Sequence, residues 1–168
     1  QGDAGIRALP SAYFKALRQR CDEVGALLVL DEIQCGLGRT GHRHAFEAHG
    51  IVPDVLVLGK ALGGGMPMGA FVSGKAHMAS LREHPKLGHI TTFGGHPVIA
   101  ASALATLKEI TESDLMAQAL EKEQLFRKLL VHPLIKEVRG IGLMLALILP
   151  SENITNELIL RGQDEGLI

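Results

Sequence analysis

Two short apolar runs, each ending in a charged residue, dominate the hydrophobic pattern of the chain. Residues 26–30 are all apolar and are followed by Asp31, and residues 55–58 are all apolar and are followed, after one glycine, by Lys60. A short apolar run bounded by polar residues is typical of a fully buried strand, most often in a parallel sheet. We therefore expect two buried strands that end at Asp31 and just before Lys60.

Helical patterns and turn residues predict the remaining elements. Ser11 is expected to cap a helix that Gly25 ends, and Pro97 suits the first turn of a long helix because its missing N–H is not needed there. Alternation of helices and strands up to residue 73 favours a parallel sheet. The predicted helices cover 11–24, 75–83, 97–110, 113–131 and 155–164, and further strands are expected at 68–73 and within 138–149.

The two strand ends carry the residues most suited to chemistry. In open α/β sheets, ligands bind just outside the carboxyl ends of the strands, where Asp31 and Lys60 are expected. Glycines at 63–65 allow the backbone to approach a ligand closely. Pyridoxal phosphate requires this pair of groups, since a lysine binds it as a Schiff base and an acidic side chain keeps its ring nitrogen protonated. The amine can also shuttle a proton as a general base.

Longer motifs around these residues closely resemble those of the class III aminotransferases, which are pyridoxal phosphate enzymes of the aspartate aminotransferase fold. The resemblance rests on LVLDEIQCGLGRTG at 28–41, LGKALGGG at 58–65 and TTFGGHP at 91–97. It implies an α/β fold in which residues 1–111 form part of the large cofactor-binding domain, with a mainly parallel sheet. Residues 112–168 would then begin a small α+β C-terminal domain, because the composition becomes more charged after residue 111.

The resemblance also implies roles for individual residues. Lys60 would be the Schiff-base lysine and the catalytic proton carrier, and Asp31 would bind the ring nitrogen. Ile33 would pack on a face of the ring, and Gln34 would bind its phenolic oxygen. Thr92 would bind the cofactor phosphate in the neighbouring subunit, which implies a homodimer with shared active sites. These roles follow only from the resemblance to the class III aminotransferases, and each is an expectation for this chain.

The implied reaction is transamination of an amino acid donor, acetylornithine- or ornithine-like or another ω-amino acid, with a 2-oxo acid such as 2-oxoglutarate. A non-catalytic fragment of such an enzyme is one alternative. The other is a P-loop ATPase, because Asp31 and Glu32 also resemble a magnesium-binding strand end. Ala61, however, follows Lys60 where a phosphate loop requires Ser or Thr. Glu32 itself is expected to form a structural ion pair.

Composition narrows the function classes further. The chain of 168 residues is 46% apolar and 21% charged, which indicates a globular protein, and its net charge of −1 suggests no nucleic-acid partner. Two cysteines are too few for a disulfide framework and favour a cytoplasmic location, and no apolar run suggests a membrane span. His42, His44 and His49 lack a completing ligand, so no metal is expected. A start at Gln1 rather than Met suggests part of a longer chain.

Overall fold

The computed structural model describes residues 2–3, 5–82, 85–86 and 88–167. Its helices and strands follow the predicted order. The helices are α1 (Ser11–Val24), α2 (Lys75–Ala79), α3 (Pro97–Glu112), α4 (Leu115–Leu129) and α5 (Glu152–Asp164). The strands are β1 (Val29–Asp31), β2 (Val55–Leu58), β3 (Ala70–Ser73), β4 (Glu137–Ile141) and β5 (Met144–Ile148), and 3-10 turns lie at Ala45–His49 and Lys60–Gly63. Helix α2 is shorter than predicted, and residue 83 of that prediction lies outside the described residues.

The first sheet has three strands in the order β1-β2-β3. Strands β1 and β2 are parallel, as predicted, with Asp31 in register with Val57. Strand β3 is antiparallel to β2, with Ala70 opposite Leu58, so the prediction of a parallel third strand is wrong. The physical reason is the short connection between β2 and β3, which holds a 3-10 turn rather than the crossover helix that a parallel return requires.

The prediction that the first two strands are fully buried is also wrong. Side chains alternate between the two faces of a sheet, so Leu56 and Leu58 lie on one face and Val57 lies on the other. The face with Leu58 packs into the core. On the opposite face Val29 is 53% exposed and Phe71 is 44% exposed, so this face is open among the described residues.

The core joins the sheet to helix α3 and to the turn that begins at Lys60. Leu58 from β2 and Leu62 from the Lys60–Gly63 turn pack against Ala103 and Ile110 of α3. The buried residues and the half-buried ones packed on them are Leu37, Leu58, Leu62, Ala103, Ile110, Leu56, Met68, Ala70, Leu107 and Met116. The turn that carries Lys60 is therefore supported directly by the core.

Helix α1 begins and ends where the sequence predicts, and Gly25 ends it in the left-handed conformation. Its N-cap, however, is Pro10 rather than Ser11. The hydroxyl of Ser11 instead hydrogen-bonds Nδ1 of His49 at 2.9 Å, and the ring of Phe14 stacks on His49 with centroids 4.1 Å apart. The hydroxyl that was expected to cap the helix is thus bound instead by His49, a residue distant in sequence.

Strands β4 and β5 form an antiparallel hairpin that packs beside helix α4. Helix α4 starts after Asp114 as N-cap, one residue beyond the predicted cap at Ser113. Arg127 of α4 donates hydrogen bonds to the carbonyl oxygens of Val138 and Gly140, the latter at 2.8 Å. The predicted domain boundary at residue 111 falls in the last turn of α3.

The hairpin also contacts the loop that follows β1. The N–H of Leu143 donates to the carbonyl oxygen of Arg39 at 2.9 Å, and Gly142 lies against Arg39 and Thr40. In the same loop Gly41 packs on Leu120 of α4. Among the described residues, no helix is both long enough and apolar enough to cross a membrane.

Candidate active site

Asp31 and Lys60 lie at the same edge of the sheet. Asp31 is the last residue of β1, and Lys60 follows the end of β2 by two positions. Because β1 and β2 are parallel neighbours, their carboxyl ends meet at one edge. Both side chains are exposed. The structure therefore brings together the acid and the amine that the sequence singles out.

The carboxylate of Asp31 is only partly used within the chain. Its Oδ1 accepts a hydrogen bond from the N–H of Ile33 at 2.9 Å, a local turn that fixes the side-chain direction. Its Oδ2 has no hydrogen-bond donor among the described residues. One oxygen is thus oriented by the backbone, and the other is open to a donor on a ligand.

Lys60 has an unusual backbone conformation. Its φ of +45° places it in the left-handed region, which only two other described non-glycine residues enter, Ile6 and Leu37. This conformation costs an L-residue about 1–2 kcal/mol, and such strain persists only where the surroundings impose it. The amine of Lys60 forms no hydrogen bond or ion pair with a described residue, so it is available to a ligand.

Ile33 packs next to the lysine, whereas Gln34 points elsewhere. A Cβ placed on Gly59 would lie 3.2 Å from Cγ2 of Ile33 and 3.6 Å from the carbonyl oxygen of Met68. Ile33 and Met68 therefore enclose the residue that precedes Lys60. The amide oxygen of Gln34 lies against Gly2, and the side chain is exposed.

Thr92 lies in the exposed turn before helix α3. A groove separates this turn from the segment before β3, and its walls include Met68, Thr91 and His96. Met68 borders both this groove and Gly59, so the groove opens beside the start of the lysine turn. The hydroxyl of Thr92 makes no hydrogen bond to the residues that the structure describes.

Glu32 is structural, but backbone groups rather than an ion pair are its main partners. Its side chain is only 4% exposed, and its two oxygens accept hydrogen bonds from the N–H groups of Ala45 and Phe46, each at 2.8 Å. Nδ1 of His44 lies farther away, at 3.7 Å. The expected ion pair is thus secondary, and the carboxylate fastens the loop after β1 to the end of that strand.

Neighbouring titratable groups do not form a second reactive centre. Burial raises the pKa of the Cys35 thiol to about 11, and the negative charge of Glu32 adds to this effect. Burial also lowers the pKa of His49 below its ordinary value. Within the described ranges, no three His, Cys, Asp or Glu side chains are placed to hold a metal ion.

Two features of the site were not predicted from the sequence, the packing of Ile33 on Gly59 and the hydrogen bond from Ser102. The close packing of Ile33 on Gly59 joins neighbouring strands and leaves no sequence signal. Ser102 of α3 donates a hydrogen bond to the carbonyl oxygen of Gly63 at 2.8 Å, and thereby touches the lysine turn. The sequence did offer one indication of Ser102, because it is a hydroxyl residue within an otherwise alanine-rich helix segment.

The available groups match the chemistry of the expected cofactor. Pyridoxal phosphate presents an aldehyde for an amine and a ring nitrogen for an acid. Among the described residues, the amine of Lys60 and one carboxylate oxygen of Asp31 have no partner, and both lie at the same sheet edge. The donor set therefore fits pyridoxal phosphate.

Comparison with known proteins places the chain in a family. The family described as "Aminotransferase class-III" matches residues 1–168. A putrescine aminotransferase of Pectobacterium atrosepticum is 49% identical over 154 residues, which cover 88% of this chain and 33% of that protein. The chain thus spans about one third of the length of this curated relative.

Solved structures of aminotransferases resemble this chain in both sequence and fold. An ornithine aminotransferase from Toxoplasma gondii, crystallised with PLP at partial occupancy in its active site, superposes with a TM-score of 0.89 at 32% identity, over 99% of this chain and 40% of that chain. An N-acetylornithine aminotransferase from Stenotrophomonas maltophilia superposes with a TM-score of 0.79 at 34% identity, over 95% of this chain and 42% of that one. The chain therefore belongs to the class III aminotransferases, a pyridoxal phosphate-dependent family with the aspartate aminotransferase-like α/β fold.

Proposed function

We propose that the protein catalyses transamination between an amino donor and a 2-oxo acid, with pyridoxal phosphate bound at Asp31 and Lys60. The observation that carries this proposal is the position of a carboxylate oxygen and an amine at the ends of two parallel neighbouring strands, both without a partner in the part of the chain that the structure describes. When bound, the cofactor supplies the electron sink that stabilises a substrate carbanion.

Each residue has a defined task in this proposal. The amine of Lys60 would hold the cofactor through its aldehyde until the amino donor displaces it, and the freed amine would then move a proton between substrate and cofactor carbon atoms. The open oxygen of Asp31 accepts a hydrogen bond from the protonated ring nitrogen. Ile33 packs against a face of the ring, which its contact with Gly59 supports. Gln34 binds the phenolic oxygen, which requires its exposed amide to turn away from Gly2.

The assignment of Thr92 requires a second copy of the chain. The exposed hydroxyl of Thr92 is proposed to bind the cofactor phosphate of the neighbouring subunit. The neighbouring Phe93 is 73% exposed and Ile90 is 60% exposed, and these apolar side chains suit a subunit interface. We therefore infer a homodimer with shared active sites.

Mixing two inactive variants tests the shared site. A hybrid dimer of Lys60→Ala with Thr92→Ala contains one site in which both native residues are present, because each site takes Lys60 from one subunit and Thr92 from the other. Activity should reappear after subunit exchange. If Thr92 serves its own subunit, no hybrid has an intact site, and the mixture stays as inactive as its components.

The donor is proposed to be an acetylornithine- or ornithine-like compound or another ω-amino acid, and the acceptor a 2-oxo acid such as 2-oxoglutarate. Because a 49% identical relative is a putrescine aminotransferase, putrescine belongs in the same donor screen. Residues 1–111 are assigned to the large domain and residues 112–168 to the small one. Two free thiols, Cys21 and Cys35, support a cytoplasmic location.

Covalent capture of the cofactor tests the central proposal. The protein is incubated with pyridoxal phosphate, reduced with borohydride and mapped by mass spectrometry. One stoichiometric label on Lys60, with Lys75 and Lys108 unlabelled, is expected, and Lys60→Ala should abolish it. Scattered labelling, or none, would favour the non-catalytic alternative.

A P-loop ATPase fits the geometry less well. The phosphate loop of such enzymes leads from a strand into an α-helix. Here β2 leads into the 3-10 turn Lys60–Gly63, and the next helix, α2, starts only after β3. Magnesium-dependent nucleotide binding in place of Lys60 labelling would favour the ATPase.

A further inference from the structure

We propose that Ser102 is a positioning residue that holds the Lys60–Gly63 turn and thereby imposes the left-handed backbone of Lys60. The proposal rests on the proposed function in so far as Lys60 is the cofactor-binding amine. Its structural content is independent of the cofactor, because it concerns how one hydroxyl on α3 fixes a turn at the end of β2.

The first observation is the contact itself. Oγ of Ser102 donates to the carbonyl oxygen of Gly63 at 2.8 Å and lies 3.4 Å from that of Gly64. Gly63 is buried, and its carbonyl oxygen also accepts from the N–H of Met66 at 3.0 Å, a bond within the same segment, so the Ser102 hydroxyl is the donor that ties this carbonyl to α3. The hydroxyl therefore holds the far end of the lysine turn against the helix.

The second observation is that the turn fits closely on α3. A Cβ on Gly64 would collide with Oγ1 of Thr106 and lie 3.0 Å from Oγ of Ser102. Leu62, two residues after the lysine, is 4% exposed and packs in the core beside Ala103. The turn is thus fixed on its C-terminal side and cannot slide toward the helix.

The third observation is the strain at Lys60. The turn is short. The N–H of Leu62 donates to the carbonyl oxygen of Gly59 at 3.0 Å, and the N–H of Gly64 donates to that of Ala61 at 3.1 Å. These bonds couple the position of the Gly63 carbonyl to the dihedral angles of Lys60. Removing the Ser102 hydroxyl leaves that carbonyl bonded to the N–H of Met66 but no longer tied to α3 through Ser102, so the turn can shift and Lys60 can return to negative φ, which redirects its side chain.

Comparing glycine with alanine at position 60 measures this strain without the cofactor. With Ser102 present, Lys60→Gly should have an unfolding equilibrium constant roughly fivefold to thirtyfold lower than that of Lys60→Ala, because only alanine is penalised at positive φ. When Ser102→Ala is added to both variants, the alanine-to-glycine ratio of unfolding constants should fall to about one or invert, since alanine is favoured over glycine in ordinary backbone conformations.

Thr111→Ala is the matched control. Thr111 lies in the same helix, and its hydroxyl donates to the carbonyl oxygen of Leu107 at 2.8 Å without touching the lysine turn. This variant should leave the alanine-to-glycine ratio of unfolding constants unchanged. Ser102→Cys repeats the experiment with a weak donor of similar size, which preserves packing if Ser102→Ala does not fold.

Covalent cofactor capture gives the second readout. Ser102→Ala should slow borohydride-trapped labelling of Lys60 by roughly tenfold, in the range found when groups that orient a functional side chain are removed. An alanine-to-glycine ratio of unfolding constants that stays at fivefold or more in the Ser102 variants overturns the proposal, whatever the labelling. If the unsubstituted protein captures no cofactor, the proposed function fails, and the stability ratio still decides the role of Ser102.

Discussion

Asp31 is in register with Val57 in the parallel pair of β1 and β2, so the acidic end of one strand lies beside the strand that leads to Lys60. The N–H of Glu32 continues this pairing by donating to the carbonyl oxygen of Val57 at 2.9 Å. The position of Asp31 relative to β2 is therefore set by backbone hydrogen bonds on both sides of its side chain.

Replacing the carboxylate of Asp31 should damage catalysis without unfolding the protein. Asp31→Asn keeps the size of the side chain but removes the charge that keeps the ring nitrogen protonated. We expect kcat to fall by about 10²–10³-fold, as for other lost electrostatic stabilisers. Steady-state kinetics measures the change, and Asp22→Asn, which removes an exposed carboxylate on α1, serves as control. An unchanged kcat in Asp31→Asn would remove Asp31 from the mechanism.

Local patterns predicted most of the elements and the sheet edge of the site. The ends of the apolar runs correctly placed Asp31 and Lys60 at the strand ends, because a change from apolar to polar residues marks where a strand leaves the sheet. The antiparallel direction of β3 was not predictable from its own residues, because strand direction depends on the length and path of the connection. The capping role assigned to Ser11 failed for a similar reason, since His49, distant in sequence, binds its hydroxyl.

The finer geometry of the site depends on contacts between segments distant in sequence. A lysine at positive φ has no sequence signature, and the contacts that fix its turn come from α3 through Ser102 and Thr106. The backbone partners of Glu32 were equally hidden, because they depend on the return of the 42–46 loop. Local pattern thus indicated which residues lie at the sheet edge, whereas tertiary packing determines how they are oriented.

Glu32 should contribute strongly to stability through its two backbone hydrogen bonds. Glu32→Gln replaces one acceptor oxygen by an amide that cannot accept, so either the Ala45 or the Phe46 N–H loses its partner in a buried site. We expect a loss of about 1–3 kcal/mol in the free energy of unfolding, measured by urea denaturation. Glu47→Gln is the control, because Glu47 is exposed and its bond to the His44 N–H is longer, at 3.3 Å. Equal losses in both variants would contradict a structural role specific to Glu32.

The contact between the β4–β5 hairpin and the loop after β1 can be tested at two glycines with similar backbone angles. Gly142 has φ +59°, and a Cβ there would lie 2.5 Å from the carbonyl oxygen of Arg39. Gly25 has φ +67° with no atom within 4 Å of a built Cβ. Gly25→Ala should therefore cost only the backbone strain, about 1–2 kcal/mol.

Gly142→Ala should lower the free energy of unfolding by more than Gly25→Ala does, because steric overlap adds about 1–3 kcal/mol to the same backbone strain. Urea denaturation of the two variants isolates the overlap as the difference between them. A difference near zero would mean that the hairpin yields without cost and does not support the loop.

Asp54 should make stability depend on pH in the acid range. Its Oδ2 accepts hydrogen bonds from the N–H of Leu28 and from Arg18, each at 2.7 Å, and these bonds, the backbone one first, lower its pKa below the ordinary 3.8. The folded protein then binds this proton less tightly than the unfolded chain does. The stabilisation is therefore complete above the unfolded pKa and is lost as the pH falls through the lower, folded pKa.

Unfolding by urea at a series of pH values from about 5 to 2 measures this effect, because the window extends from above the unfolded pKa of about 3.9 to below it. Asp54→Asn should be less stable than the native protein at pH 5 and should lose less further stability on acidification. Asp22→Asn removes the other carboxylate bound to Arg18 and leaves the Leu28 N–H paired. The pH dependence of stability should flatten more for Asp54→Asn, because this substitution removes the carboxylate whose pKa the Leu28 N–H and Arg18 lower. Parallel stability curves for Asp54→Asn and the native protein would show that this carboxylate does not link folding to proton binding.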